Sequence, residues 1–301
     1  CCSVLSAALK QAHCQLTDLF LNDCNISDVG MSTLIRALKD SGMRLGDCRL
    51  EFDGNAIGSE ATTALADMLA LPHKIPKSLN IEDNRIDSVS LQQFLQAVSC
   101  NGVGLSRLVI GMNEYGNTGL SKLAEVFSQA RITVDELVLD NQTYHAERGQ
   151  VDWKQFFSNL IANPEIKIQR LDFGVSVLPQ EGLNALAEAL DSRDCHLRQL
   201  AVYDCGLSSS DQQQIINTLF SADCTLIGCE LDDNFFGLSH LEEKGFVQHD
   251  NLLASLVDQA IVLRELKKRF GHEGGSYQRI HALFDAQLME SKSVKQSLFN
   301  G

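Results

Sequence analysis

A repeat of 29 residues constrains this chain more than any other feature. A small polar residue preceded by two apolar residues at spacing two recurs at Cys24, Asn55, Asn84, Asn113, Gln142, Ser176, Cys205 and Asn234. The steps between these anchors are 31, 29, 29, 29, 34, 29 and 29 residues, so both exceptions are insertions. The frame L-x-x-L-x-L-x-x-N/C-x-L returns around them. Leu16, Leu19, Leu21, Cys24 and Ile26 form one copy, and Leu105, Leu108, Ile110, Asn113 and Tyr115 another. Leu197, Leu200, Val202, Cys205 and Leu207 form a third, and Leu226, Cys229, Leu231, Asn234 and Phe236 the last. Asp47 and Pro76 break the first position of two copies, and Gln142 and Ser176 are weaker anchors.

The second half of each unit has a different period. Positions +7, +10, +11 and +14 from the anchor carry Met31, Leu34, Ile35 and Leu38, then Leu91, Phe94, Leu95 and Val98, then Leu183, Leu186, Ala187 and Leu190. That spacing is one apolar face of a helix. Each unit is therefore a short strand, a turn and an amphipathic helix, and neither half buries its apolar side alone. Stacking buries both in one core, with a parallel sheet on one side and helices on the other. Helices are wider than strands, so the stack curves with strands inside. The anchor sits where the chain turns, and Asn offers a donor and an acceptor to the backbone groups stranded there.

These residues resemble the ribonuclease-inhibitor-like class of leucine-rich repeats. A Cys two residues before the first Leu strengthens the likeness: Cys14-Gln-Leu16, Cys195-His-Leu197 and Cys224-Thr-Leu226. The resemblance implies an α/β leucine-rich-repeat solenoid over residues 1–236, a curved horseshoe with parallel strands on the concave face and helices on the convex face. The class includes inhibitors of secreted ribonucleases, GTPase activators, the ligand-sensing ends of NOD-like receptors and effector proteins that intracellular bacteria inject into host cells. What they share is a binding surface.

The pattern stops near Phe236, where the next helix would need apolar residues and finds Lys244, Gly245 and Gln248. Residues 237–301 hold eight basic and eight acidic residues, so the whole net charge of −14 lies in the repeats. Two helices are expected in this tail. One is capped by Asp250-Asn251 and ends in Lys267, Lys268 and Arg269; the other carries Tyr277, Ile280, Leu283, Phe284 and Leu288. A solenoid needs its open end covered, so the tail reads as a helical cap or a small accessory module. The opening Cys1-Cys2-Ser3-Val4 has no Met and no basic n-region, and reads as a start inside a longer chain rather than a signal peptide.

Several function classes drop out. An excess of 39 acidic over 25 basic residues argues against nucleic acid, whose phosphates need a basic patch. No run of about 18 apolar residues suggests a membrane span. There is no P-loop, G-x-G-x-x-G, H-E-x-x-H or G-x-S-x-G, and no small-molecule substrate, cofactor or metal is indicated. Neither Cys195-His196 nor the Cys224/Cys229 pair has metal-ligand spacing. Cys14, Cys24, Cys195, Cys205 and Cys224 take repeat positions that face the core, which reads as reduced thiols in a cytosolic protein. Trp153 falls at a helix-core position before Phe156, Phe157 and Leu160.

The concave face carries the functional signal. Strand alternation turns positions −4, −2 and −1 from each anchor onto it. At −4 stand Phe20, Glu51, Val109, Val138, Asp172 and Glu230; at −2, Asp53, Glu82, Asp140, Tyr203 and Asp232; at −1, Asp23, Asp83, Met112, Asp204 and Asp233. Eleven of the 24 positions are acidic and none is Lys or Arg, in a chain with 25 of those. Turn chemistry alone explains Asp at −1 but not that exclusion. Arg49, Lys77, Arg107, Arg170 and Arg198 lie just upstream, which gives the acidic strip a basic edge. The fifth unit's insertion, Thr143–Asp152, adds a rim loop with Tyr144, His145, Glu147 and Arg148 as a second contact.

The expected protein is a non-enzymatic, cytoplasmic module that binds a partner protein with a basic surface. Three other readings stay open: a regulator of a partner enzyme, GTPase-activator-like; a ligase's substrate-recognition arm; and a bacterial effector acting in host cytosol. Thiol titration of the denatured, non-reduced protein should find close to all ten cysteines free; several paired thiols would overturn the reducing compartment.

Overall fold

Each repeat folds as its apolar spacing dictates in the computed structural model, which describes residues 2–11, 16–100, 104–129, 133–140, 151–174, 178–203, 205–219 and 223–231 and positions 221, 261 and 264. Helix α1 (Cys2–Leu9) leads into strand β1 (Asp18–Phe20) and helix α2 (Asp28–Asp40). The alternation continues with β2 (Arg49–Glu51), α3 (Ser59–Leu69), β3 (Ser78–Asn80), α4 (Ser88–Cys100), β4 (Gly104–Val109) and α5 (Gly116–Gln129). It ends with β5 (Thr133–Val138), α6 (Trp153–Ile161), β6 (Arg170–Asp172), α7 (Gln180–Leu190), β7 (Gln199–Ala201), α8 (Ser209–Leu219) and β8 (Gly228–Glu230).

Among the described residues the strands form one parallel sheet in sequence order, and each pairs with its neighbour at the same repeat position. Leu19, Leu50, Leu79, Leu108, Leu137, Leu171, Leu200 and Cys229 therefore lie side by side across the sheet. Successive helices pack against one another as a second layer. Leu34, Ile35, Leu38, Phe94, Leu95 and Leu186 are fully buried between the layers, while Ala187 is only half-buried. This is a leucine-rich-repeat solenoid.

The anchors stitch the rungs together. Asn84 shares its amide hydrogens among the carbonyls of Phe52, Ile81 and Glu82, at 3.2, 3.1 and 2.7 Å, while its Oδ1 accepts from the Ile57 N–H at 2.8 Å. Phe52 and Ile57 belong to the preceding rung. Asn55 and Asn113 make the corresponding bonds, to Leu21 and Ile26 and to Ile81 and Ile86. Cys205 keeps the donor half of the pattern, its thiol reaching the carbonyls of Phe173 and Tyr203. Cys24 corrects the expectation of a core thiol: it is exposed and bonds only within its own turn, to the Asn22 carbonyl. The anchor's bonds point backwards, and among the described residues no strand precedes β1.

Other polar contacts also link rungs. The carboxylate of Asp28, at the start of α2, accepts from the N–H groups of Gly58, Glu60 and Ala61 and so caps α3. Lys74 is fully buried, and its ammonium donates to the carbonyls of Leu38, Ser41 and Met43 and to the Ser41 hydroxyl, closing the C-terminus of α2. Burial pulls its pKa below the ordinary lysine value. Trp153 opens α6 half-buried, stacked on Phe157 and edge-on to Phe156 and Phe173.

Of the tail, Ile261 and Arg264 lie among the described residues, and both are helical. Ile261 packs against the core, and the buried Arg264 donates to the Leu226 carbonyl at 2.5 Å. The rest of 237–301 lies outside the described residues, as do Cys14, Gln142, Ser176 and Asn234.

Replacing Asn84 by Ala strands carbonyls and the Ile57 N–H of two rungs. Unfolding free energy should fall by about 2–4 kcal/mol in a denaturant melt, since each unsatisfied buried group costs about 1–3 kcal/mol. Asn84→Cys, which keeps a donor as Cys205 does, should cost less. Equal losses would show that the lost volume, not the hydrogen bonds, sets the cost.

Candidate functional site

Because the rungs are in register, each repeat position becomes a column across the concave face. Phe20 and Met112 stand out, 56% and 39% exposed, and Arg49 lies over the Phe20 ring with 5.5 Å to its centroid. Glu51, Asp172 and Tyr203 are half-buried and Glu230 is exposed. Val109 and Val138 correct the expectation of apolar contact residues: they are 1% and 6% exposed and form floor rather than contact surface. Asp204, Asp232, Asp233, Tyr144, His145 and Arg148 lie outside the described residues.

The −1 column has a backbone cause. Asp23, Gly54, Asp83 and Met112 all have φ between 47° and 64°, the left-handed region. Asp tolerates it better than most residues, and Gly has no penalty there. The acids Asp23 and Asp83 thus answer to the turn. Met112 answers to neither rule.

The basic edge is a second correction. The −6 residues also face inward, and there the arginines meet Asp18 and Glu136 of their own column and the −4 acid Glu230. Arg49 Nε bonds Asp18 at 2.6 Å, Arg107 reaches Glu136 at 3.4 Å, and Arg170 bridges Glu136 at 3.5 Å and Glu230 at 3.3 Å. The Arg49 guanidinium holds the Asp18 carboxyl below its ordinary pKa. Extending the alternation by one residue pair would have found Asp18 and Glu136 in the sequence.

The −2 column holds the densest charge: Asn22, Asp53, Glu82, Gly111, Asp140, Gly174 and Tyr203 from rung one to rung seven. Asp53 takes amide donors from both sides, Asn22 at 2.5 Å and Asn80 at 3.0 Å. Gly111 has no side chain, and a Cβ there would collide with the Asp140 carboxyl. Asp140 therefore leans across the fourth rung, its carboxyl filling the space above Gly111. Burial, then the Asp140 charge, pushes Glu82 up to about 7. Burial and the Asp172 charge raise Asp140. Asp172 is raised by burial, although it accepts from the Gly174 N–H at 3.1 Å. Gly174 is the second gap, and a Cβ there would strike the Tyr203 ring. The ring thus lies over the sixth rung, its phenol pushed up to about 12 by burial and by the carboxylates of Asp172 and Asp140.

Among the described residues no group of three His, Cys, Asp or Glu side chains could hold a metal ion, and no helix is long and apolar enough to cross a membrane. The face instead offers shallow anionic surface bounded by Phe20 at one end and Tyr203 at the other.

Gly174→Ala should drive a methyl group into the Tyr203 ring and cost about 1–3 kcal/mol in a urea melt. In a Tyr203→Ala background the same change should cost less than about 0.5 kcal/mol. Additive losses would mean that the ring does not rest on Gly174.

No protein-family model matches the chain. Over 232 residues it is 26% identical to the human NACHT, LRR and PYD domains-containing protein 5, covering 77% of this chain and 18% of that protein. It is 26% identical over 200 residues to the ribonuclease inhibitor of Sus scrofa, covering 66% of this chain and 42% of the inhibitor. The chain thus spans about a fifth of the first relative's length and under half of the second's. A solved tropomodulin C-terminal domain from Caenorhabditis elegans aligns with 63% of this chain and 91% of its own at a TM-score of 0.39 and 13% identity. Repeat period, anchor bonds and these relatives agree: the chain's homologues are leucine-rich-repeat proteins, with NACHT/LRR proteins and ribonuclease inhibitor among them.

Proposed function

We propose that this chain is a non-catalytic binding module that docks a partner protein with a basic surface on its concave face. The observation that carries the reading is charge segregation. The −4, −2 and −1 columns contain no Lys or Arg, and the arginines of the neighbouring −6 column are already engaged by Asp18, Glu136 and Glu230. What remains is the anionic strip formed by the −2 acids Asp53, Glu82 and Asp140, with the half-buried −4 acid Asp172 beside them. Such a field attracts cationic surfaces over several ångströms and repels anions. Ribonuclease inhibitor is named for a protein target, which fits the same use of this fold.

Each exposed ion pair contributes only about 0–1 kcal/mol, so the acids govern encounter and specificity. Holding the complex falls to the aromatic groups at either end, Phe20 and Tyr203, and to Met112 between them. The packing of Ile261 and the bond from Arg264 to the Leu226 carbonyl support a tail that closes the array. The uncrosslinked thiols of Cys48, Cys195, Cys205 and Cys224 suit a reducing cytosolic setting.

With a captured partner, association should slow as salt rises, because the Debye length shrinks from about 10 Å at 0.1 M toward about 3 Å at 1 M. Changing Glu51, Asp53, Glu82 and Asp83 together to Ser should lower the on-rate and flatten its salt dependence in stopped-flow. Tyr203→Ala should mainly raise the off-rate. Binding that needs only residues 237–301, or a footprint confined to the helices, would overturn the reading.

A further inference from the structure

We infer that the partner is anchored by an arginine laid across the exposed ring of Phe20, with its guanidinium held by Glu51 and Asp53 of the next rung. The inference rests on the docking reading above and names the side chain that the face receives.

The register places an aromatic surface against carboxylates. Phe20 is 56% exposed, whereas Val109 and Val138 of the same column are almost fully covered. Phe20 pairs with Glu51 across β1 and β2, so the two stand about 4.8 Å apart at the backbone. Asp53 follows on the same face of β2, about 6.7 Å beyond Glu51. The Asp23 carboxyl of the first rung fills the space that a Cβ at Gly54 would take, next along the chain from Asp53. Asp53 receives the amides of Asn22 and Asn80, both on Oδ1, at 2.5 and 3.0 Å. That fixes the carboxylate and leaves Oδ2 with no donor among the described residues.

The protein already displays this contact once. The Arg49 guanidinium lies over the Phe20 ring, 5.5 Å from its centroid, while its Nε bonds the Asp18 carboxylate at 2.6 Å. The Arg49–Asp18 pair is neutral as a unit, so it leaves the charge of Glu51, Asp53 and Asp23 unopposed. A second guanidinium on the exposed remainder of the ring meets the same two requirements, with Glu51 and Asp53 in the place of Asp18. Arginine suits the position better than lysine. Its flat group stacks on an aromatic face and offers five N–H donors, enough to serve two carboxylates from one side. The lysine ammonium is compact and strongly hydrated, so it gains less from leaving water for a ring. The methylene stem of either residue covers apolar surface, so the stem does not decide between them.

Tetra-arginine and tetra-lysine, blocked at both ends, carry the same charge and serve as probes of the whole chain at low salt. Backbone-amide NMR maps the contact and gives the affinity. Tetra-arginine should shift the amides of residues 20–23 and 51–54 and bind about two- to fivefold more tightly than tetra-lysine. Phe20→Ala, a change at an exposed position, should abolish that preference, and Phe20→Tyr, which keeps the ring, should retain it. Asp53→Asn still accepts from Asn22 and Asn80 and should weaken both peptides. In a Phe20→Ala background it should weaken tetra-arginine less than in wild type, because one guanidinium uses both groups. Equal affinity for the two peptides, a preference that survives Phe20→Ala, or shifts confined to other rungs would overturn the anchor. The docking reading stands in those cases if binding still depends on the acids of the face. Peptide binding that ignores those acids, or none at all, overturns both.

Discussion

The bond from an anchor amide to the rung before it is the constraint on which the rest depends. Asn55, Asn84 and Asn113 each satisfy carbonyls of two rungs and an N–H of the earlier one. A one-residue slip between neighbouring strands would strand these groups in the core, where each costs about 1–3 kcal/mol. Register is thereby fixed at the first three junctions, and the in-register pairing of all the described strands turns the repeats into columns. The leucine ladder behind the sheet and the charged columns in front of it are two faces of the same restriction. Cys24 differs from these anchors: it is exposed and bonds the Asn22 carbonyl of its own turn.

The helical layer repeats the logic with different atoms. Asp28 of one unit caps the helix of the next, and Lys74 closes the C-terminus of the helix one unit back. Both replace a local cap by one borrowed from a neighbour, so each unit depends on the adjacent unit for polar satisfaction as well as for apolar burial. That dependence is why stability in such arrays resides at the interfaces between units. The surface pairs Lys39–Asp67 and Lys154–Glu188 also join neighbouring helices, but exposed as they are they contribute little.

The period made most of this legible before any coordinates. Leu186, Phe94 and Ile35 lie where a 3.6-residue period puts them, fully buried, and the strand columns hold the residues that alternation assigns. What the sequence hid are effects of one rung on another. Val109 and Val138 alternate outward yet end 1% and 6% exposed. Arg49, Arg107 and Arg170 look free until the carboxyls of Asp18 and Glu136 are seen beside them. Met112 in the left-handed region follows from no residue preference, because it is imposed by the turn shared with Asp23, Gly54 and Asp83. Gly111 and Gly174 read as ordinary gaps, and only the positions of Asp140 and Tyr203 show that the gaps are filled from the next rung.

In-register repetition has a cost on the concave side. If one column favours acids, like charges stack about 4.8 Å apart, close enough to repel strongly in the half-buried surface of a sheet. Among the described residues the protein meets this in two ways. In the first three rungs it interleaves amides, with Asn22 and Asn80 donating to Asp53. Along the −6 column it interleaves arginines with Asp18 and Glu136, one of them also reaching the −4 acid Glu230. Between Glu82 and Asp140 neither is present, and burial together with neighbouring charge raises the pKa of both carboxyls. A column built only to be stable would have used Asn at the fifth rung as it does at the first. Keeping an acid there preserves negative charge on the face, which is what the proposed docking of a basic partner requires.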